Sequence, residues 1–538
     1  MELDVSFLFS GTSFKKSKFS ADLARFQKKK DASMEDVFER HFGTDCDRGE
    51  SEVVEVSRKK RKRKAERTSG MVDGFNVFKS SNTSLPSAGE GETESTGEKD
   101  QPNKALCRQI ERDAILRKTY NIHVAGSNVP SPLQSFQDLS TRYGCPLYLL
   151  NNWKALGFKE PTPIQRQAIT VLLSGRECFA CAPTGSGKTF AFVCPMLMRL
   201  KRFPRDTVKA IILSPTRELA AQTARECKRM AIGSKLRVKL MTKPLAKTAD
   251  FTKKPCDILI STPYRLKTVI KKKRIDLSRT EYLVLDESDK LFEPSLLKQI
   301  DSVVKACTNP AIVRSLFSAT LPDYVEDQAR TIMHDAVRVI VGRKNTASET
   351  IKQKLVFAGS EEGKLMALRQ SFAESLKPPV LIFVQSKERA KQLYGELQFD
   401  NVKAGVIHSD LSQSQREDAV NDFRGGQTWV LIATDVVARG MDFKGVNCVI
   451  NYDFPDCGAS YIHRIGRSGR AGRAGEAVTL YTEADIPFLH SIANVMATAG
   501  CHVPQWIFKL PKNRWKKHRP KRELISTKPE TRVAASQV

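Results

Sequence analysis

From Phe136 onward, short apolar runs alternate with segments whose apolar residues recur at helical spacing. The runs Cys178–Cys181, Ala210–Leu213, Ile258–Ile260, Tyr282–Leu285, Ser315–Phe317 and Val337–Val341 are too short for buried helices. They predict strands buried on both faces, as in a parallel sheet covered by helices on either side. A polar stretch at 343–350 predicts a hinge. A second series follows, comprising Val380–Val384, Ala404–Ile407, Trp429–Ala433, Cys448–Tyr452 and Ala477–Leu480. The fold class expected is α/β, with tandem parallel-sheet domains at 136–342 and 351–502.

The flanks follow neither pattern. Residues 1–135 predict a largely disordered extension, and 503–538 a basic tail. Aromatics spaced along a basic arm from Phe7 to Phe26 suit a docking segment, and Arg58–Lys64 is a block of seven consecutive basic residues. Such a block repels itself, stays solvated and suits nuclear import or nucleic-acid contact. Residues 68–103 are polar, with little to bury, whereas Leu106–Tyr120 has helical periodicity.

Charge narrows the choice of partner. The 88 Lys and Arg against 60 Asp and Glu leave +28, which favours a polyanion, nucleic acid before membrane. No apolar run approaches the length of a membrane span, and the start of the chain lacks the pattern of a secretory leader. The 12 cysteines are scattered, as in a reducing compartment. Cys178 and Cys181 have CxxC spacing, but residues three apart on a strand point to opposite faces, so they are expected to pack rather than bind metal.

The first domain carries a phosphate-cradling loop between a strand and a helix, formed by Ala182, Pro183, Thr184, Gly185, Ser186, Gly187, Lys188 and Thr189. The glycines let backbone N–H groups turn toward phosphate oxygens at a helix N-terminus. Lys188 is expected to reach the β- and γ-phosphates of ATP, and the Thr189 hydroxyl to sit on Mg²⁺. Farther along, an apolar strand runs into Asp286 and Glu287. In an open parallel sheet ligands bind beyond the carboxyl ends of the strands, which puts this acid pair beside the phosphate loop. Asp286 suits Mg²⁺, and Glu287 suits orienting and deprotonating the attacking water.

Together with these motifs, the stretches that follow make the chain resemble the DEAD-box RNA helicases, over roughly Phe136 to His502. The resemblance implies two RecA-like domains, ATP and Mg²⁺ as cofactors, RNA as partner, a monomer, and roles for further residues. Phe158 and Gln165 would stack on and pair with adenine. Pro215, Thr216, Arg217, Thr262, Arg265 and Thr434 would contact RNA. Ser318, Ala319, Thr320, Asp435 and His463 would couple nucleotide state to RNA, and Asp442 would meet the ATP ribose. Arg467 and Arg470 would reach across the interdomain cleft to the γ-phosphoryl group, joining Lys188, Asp286 and Glu287 in catalysis.

Three features depart from the family pattern. Motif II reads Asp-Glu-Ser-Asp, with Ser288 in the usual Ala position; Tyr264 replaces a usual Gly; and the segment Met241–Lys247 lacks the usual Gly-Gly pair. These departures and the Phe-spaced arm resemble the Rok-type subgroup of small-subunit ribosome assembly. That subgroup implies the nucleus and nucleolus, pre-ribosomal RNA, and pre-ribosomal proteins met through the N-terminal arm. Two other readings stay open on the residues alone: an ATP-gated RNA clamp or scaffold with little turnover, and a DNA translocase.

Overall fold

The computed structural model describes residues 101–200, 208–248, 256–374, 376–435, 443, 445–469, 474–510 and 525. The aromatic arm, the basic block and most of the basic tail lie outside them. The first domain is built on eight strands: β1 (Ile122–Ala125), β2 (Cys178–Cys181), β3 (Ala210–Leu213), β4 (Val238–Leu240), β5 (Ile258–Ser261), β6 (Tyr282–Asp286), β7 (Val313–Ser318) and β8 (Val337–Val341). Their order is β1-β8-β2-β7-β6-β3-β5-β4. Strands β2 to β8 run parallel, and β1 closes one edge antiparallel to β8, with Ile122 opposite Val341.

Strand β1 joins this sheet from before Phe136, the domain start expected from the pattern. Only four residues long and interrupted by His123, β1 offers no apolar run to read. Helix α1 (Gln101–Thr119) precedes it, and Arg117 holds its end by donating to Gln167 Oε1 at 2.8 Å and Pro130 O at 3.1 Å.

The central strands are buried throughout because helices cover both faces. On β2, Cys178 and Ala180 enter one core while Phe179 and Cys181 enter the other. The two thiols therefore diverge, as their spacing implies, and burial pushes their pKa values up to about 12 and about 11.

The second domain has six parallel strands: β9 (Ile351–Gly359), β10 (Val380–Val384), β11 (Ala404–Ile407), β12 (Val430–Thr434), β13 (Cys448–Asn451) and β14 (Gly475–Thr482). Their order is β11-β12-β10-β13-β14-β9. Edge strand β9 begins with buried Ile351 and Gln353 alternating with exposed Lys352 and Lys354, a half-solvated pattern rather than an apolar run.

Seven further helices position the site: α2 (Pro163–Leu173), α3 (Lys188–Arg199), α4 (Arg217–Met230), α5 (Lys243–Thr248), α6 (Pro263–Lys271), α7 (Gln413–Arg424) and α8 (Gly458–Ile465). Sheet order alone gathers the chemistry. The carboxyl ends of β2, β7 and β6 are neighbours, and those of β3, β5 and β4 continue the same edge.

Candidate active site

The turn between β2 and α3 depends on its glycines. Gly185 and Gly187 have φ of 75° and 84°, a region closed to most side chains, and Gly187 caps α3. A Cβ at Gly187 would lie 2.3 Å from Gln165 Nε2. The loop is braced from α2: Thr162 Oγ1 donates to Ser186 O at 2.7 Å and Gln165 Nε2 to Gly187 O at 3.1 Å. Gln165 Oε1 also accepts from Thr162 N at 2.9 Å, completing a capping box. Its amide keeps one donor and one acceptor beyond these bonds, the pair an adenine edge requires. Half-buried Phe158 packs on Phe190, the residue after Thr189, with ring centroids 4.7 Å apart.

Lys188 Nζ donates to Ala182 O at 2.7 Å and Pro183 O at 2.9 Å, across the mouth of its own loop. Burial lowers its pKa against the pull of Asp286. Asp286 ends β6 almost wholly buried, and desolvation, reinforced by Glu287, raises its carboxyl to about 7. With the Thr189 hydroxyl it offers the hard oxygen donors that Mg²⁺ takes, and a cation there would offset the crowding of two carboxylates.

This shift makes a testable prediction for metal-free, nucleotide-free protein. Between the ordinary carboxyl value of about 3.9 and about 7, the folded state binds a proton that the unfolded state has released. Asp286 therefore lowers stability progressively as pH rises through that window. Asp286→Asn is expected to raise Tm at pH 8 and to change it far less at pH 4. Thermal melts at both pH values check this, and an equal change at both would disprove it.

Glu287 adopts φ 51°, ψ 54°, a left-handed conformation uncommon for a side-chain-bearing residue. It opens the short helix Ser288–Leu291, which turns Asp289 toward β7 and the second domain. Buried Asp289 accepts from Thr320 Oγ1 and, at 2.7 Å, from His463 Nε2 on α8. These partners hold its pKa below the ordinary range despite burial. Ser318 Oγ donates to Thr320 O at 2.6 Å, and Ala319 is buried between them. Ser288 Oγ is buried without a hydrogen-bond partner. Ser288→Ala is thus expected to stabilise the protein by about 1 kcal/mol, read as a higher denaturation midpoint; destabilisation would show that the hydroxyl has a partner.

The second domain meets this cluster directly. Thr184 Oγ1 donates to Gly466 O at 3.0 Å, and a Cβ at Gly466 would fall 1.9 Å from that hydroxyl. Arg467 is buried, with Nε donating to His463 O at 3.0 Å and Nη2 lying 3.9 Å from Glu287 Oε1. Asp435, after β12, receives Arg464 in a two-pronged pair, both contacts at 2.7 Å, so it anchors α8 within its own domain. Thr434 is buried at the end of β12. Asp442 and Arg470 lie outside the described residues.

The ends of β3 and β5 gather the residues expected to contact RNA. Pro215 and Thr216 precede α4, where Thr216 Oγ1 accepts from Leu219 N at 3.3 Å and Arg217 is exposed. Thr262 caps α6, and Arg265 donates to Met241 O at 2.8 Å. Desolvation first, then repulsion from Arg217, lowers the Arg265 pKa, so two guanidinium groups share this edge. Such crowding suits a polyanion.

Three residues outside the expected set connect the parts. Asp289 closes the motif that holds Asp286 and Glu287, and its acidic side chain was the available signal. Arg416 on α7 pairs with Glu218 on α4 across the domains, beside a polar cleft of about 280 Å³. Glu218 falls within the stretch Pro215–Ala220 that carries the resemblance, but Arg416 belongs to no recognisable spacing. In the hinge, Asn345 (φ 54°) takes both polar groups of Leu321: Oδ1 accepts from its N–H at 2.7 Å, and Nδ2 donates to its O at 3.3 Å.

The DEAD/DEAH box helicase family model matches residues 162–328, and the helicase conserved C-terminal domain model matches residues 363–472. The chain is 66% identical over 534 residues to DEAD-box ATP-dependent RNA helicase 57 of Arabidopsis thaliana, covering 98% of each chain. It is 43% identical over 447 residues to ATP-dependent RNA helicase ROK1 of Saccharomyces cerevisiae, covering 79% of each. Among solved structures, S. cerevisiae Dbp5 bound to RNA and ADP BeF3 is similar with a TM-score of 0.60 at 30% identity, over 70% of this chain and 100% of that one.

Proposed function

Because the chain belongs to the DEAD-box ATP-dependent RNA helicases, we propose that it couples ATP hydrolysis to local separation of short RNA duplexes or remodelling of RNA–protein complexes. The observation that carries this reading is the approach of Arg467 to Glu287, which joins the two domains at the acid pair. In this reading Gln165 and Phe158 hold adenine, while the loop from Ala182 to Thr189 holds the phosphates. Asp286 and Thr189 hold Mg²⁺, which would neutralise phosphate charge. Glu287 orients the attacking water and takes its proton. Arg467, with Arg470, stabilises charge on the transferring phosphoryl group.

RNA lies along Pro215, Thr216, Arg217, Thr262 and Arg265 of the first domain and Thr434 of the second, held mainly through phosphate and sugar. RNA spanning both domains favours their closure and therefore hydrolysis, and phosphate release favours reopening. Ser318, Ala319, Thr320, Asp435 and His463 transmit the change, with Asp289 as their meeting point. The domain limits are those read from the pattern, with β1 added to the first. The protein acts as a monomer on pre-ribosomal RNA during small-subunit assembly in the nucleolus, meeting pre-ribosomal proteins through its N-terminal arm. The resemblance to the Rok-type subgroup and the Arg58–Lys64 block support this placement.

Steady-state ATP hydrolysis without nucleic acid, with single-stranded RNA, and with matched DNA tests the core of the reading. Stimulation by RNA but not DNA is expected. Equal stimulation by DNA would favour a translocase, and absence of turnover in every condition would favour a clamp.

A further inference from the structure

The edge at β5 presents one side chain that neither phosphate chemistry nor core packing uses. Tyr264 is 69% exposed although it follows a fully buried strand. It is the second residue of α6, behind Pro263 and the extended cap Thr262. Its carbonyl accepts from Thr268 Oγ1 at 2.8 Å, and the neighbouring Arg265 ties the same turn to Met241 O at 2.8 Å. The backbone is thus fixed on both sides while the ring stands in solvent. The elements along this edge carry exposed positive side chains: Arg217 at the start of α4, Lys243 and Lys247 on α5, and Lys271 two turns farther along α6. The acid nearest in sequence to Arg217, Glu218, is engaged by Arg416.

We propose that Tyr264 is a stacking platform for one unpaired base of the bound RNA strand, whose neighbouring phosphates are met by the basic side chains on α4, α5 and α6. This inference rests on the RNA-helicase reading and specifies a structural feature of its substrate. A planar, exposed aromatic on a rigid turn accepts any base face, and the surrounding cations match the backbone on either side. The rest of the RNA edge offers groups suited to phosphate and sugar. Tyr264 adds a requirement they lack: the nucleotide at this point must be unstacked from a duplex. The strand is therefore recognised as single-stranded, without selection for sequence.

The test compares the full-length native chain with Tyr264→Ala and Tyr264→Phe, in a non-hydrolysable ATP analogue. Each is titrated with a short oligouridine strand and with the matching strand lacking all bases. The native chain is expected to bind the base-bearing strand about tenfold more tightly than the abasic one. Tyr264→Ala should lose most of that difference by weakening oligouridine binding, with little change on the abasic strand. Tyr264→Phe, which keeps the ring, should retain it.

Equal oligouridine affinity for native protein and Tyr264→Ala would overturn the inference while leaving RNA binding intact. Equal weakening on both strands would also overturn it, assigning Tyr264 to the shape of α6. If the native chain bound neither strand, the RNA reading itself would fail and the inference with it.

Discussion

Glu287→Gln is expected to bind ATP and RNA yet turn ATP over at least about 10²-fold more slowly than the native chain. Glutamine has nearly the same shape and hydrogen-bonding reach as glutamate but cannot take up the proton of the attacking water. Glu287 is buried at the end of β6, and its left-handed backbone aims it away from the strand it follows. That conformation costs on the order of 1–3 kcal/mol and persists because the surrounding structure holds it. The amide substitution changes charge while keeping the side-chain length, so it separates chemistry from architecture. Single-turnover hydrolysis, set beside equilibrium binding of a fluorescent ATP analogue, provides the measurement. Native turnover by the purified variant would remove Glu287 from the base role.

Arg467→Ala is expected to reduce turnover by about 10³-fold or more, while ATP affinity changes far less. The guanidinium is built into the second domain, with Nε fixed on His463 O at 3.0 Å, and its other end approaches Glu287 of the first. Charge that arrives only on domain closure acts on the reacting complex rather than on initial nucleotide capture. Lysine should restore little, since it lacks the planar fork that grips two phosphate oxygens while holding the backbone carbonyl. Titrations of kcat and ATP affinity on the same preparation decide the point. Parallel loss of both would assign Arg467 to folding or ground-state binding.

How much of this was visible beforehand follows from burial. Strands such as Ala210–Leu213 and Val380–Val384 lie between two layers of helices, so every side chain must be apolar and the run is unmistakable. Strand β9 was missed because its early lysines face solvent, and β1 because four residues with a histidine carry no run. The phosphate loop and the acid pair were legible because their backbone and charge requirements compress into adjacent residues. The Asp289–His463 and Arg416–Glu218 contacts join residues brought together only by the docking of two domains, and no local spacing encodes that. Gln165 is expected to read a base; what its bonds to Gly187 and Thr162 show is that it braces the loop.

Asn345 shortens the connection between the domains without removing a residue. Its two bonds to Leu321 fasten the start of the hinge to the first domain, so the chain is held to that domain as far as Asn345 rather than leaving it at 343. A shorter tether confines the second domain to a smaller volume and raises its effective concentration at the first. Contacts as few as Thr184–Gly466, Asp289–His463 and Glu218–Arg416 can then favour encounter without making it permanent. Release of this clamp would lengthen the tether and dilute the domains with respect to each other, leaving every residue of the cleft itself in place.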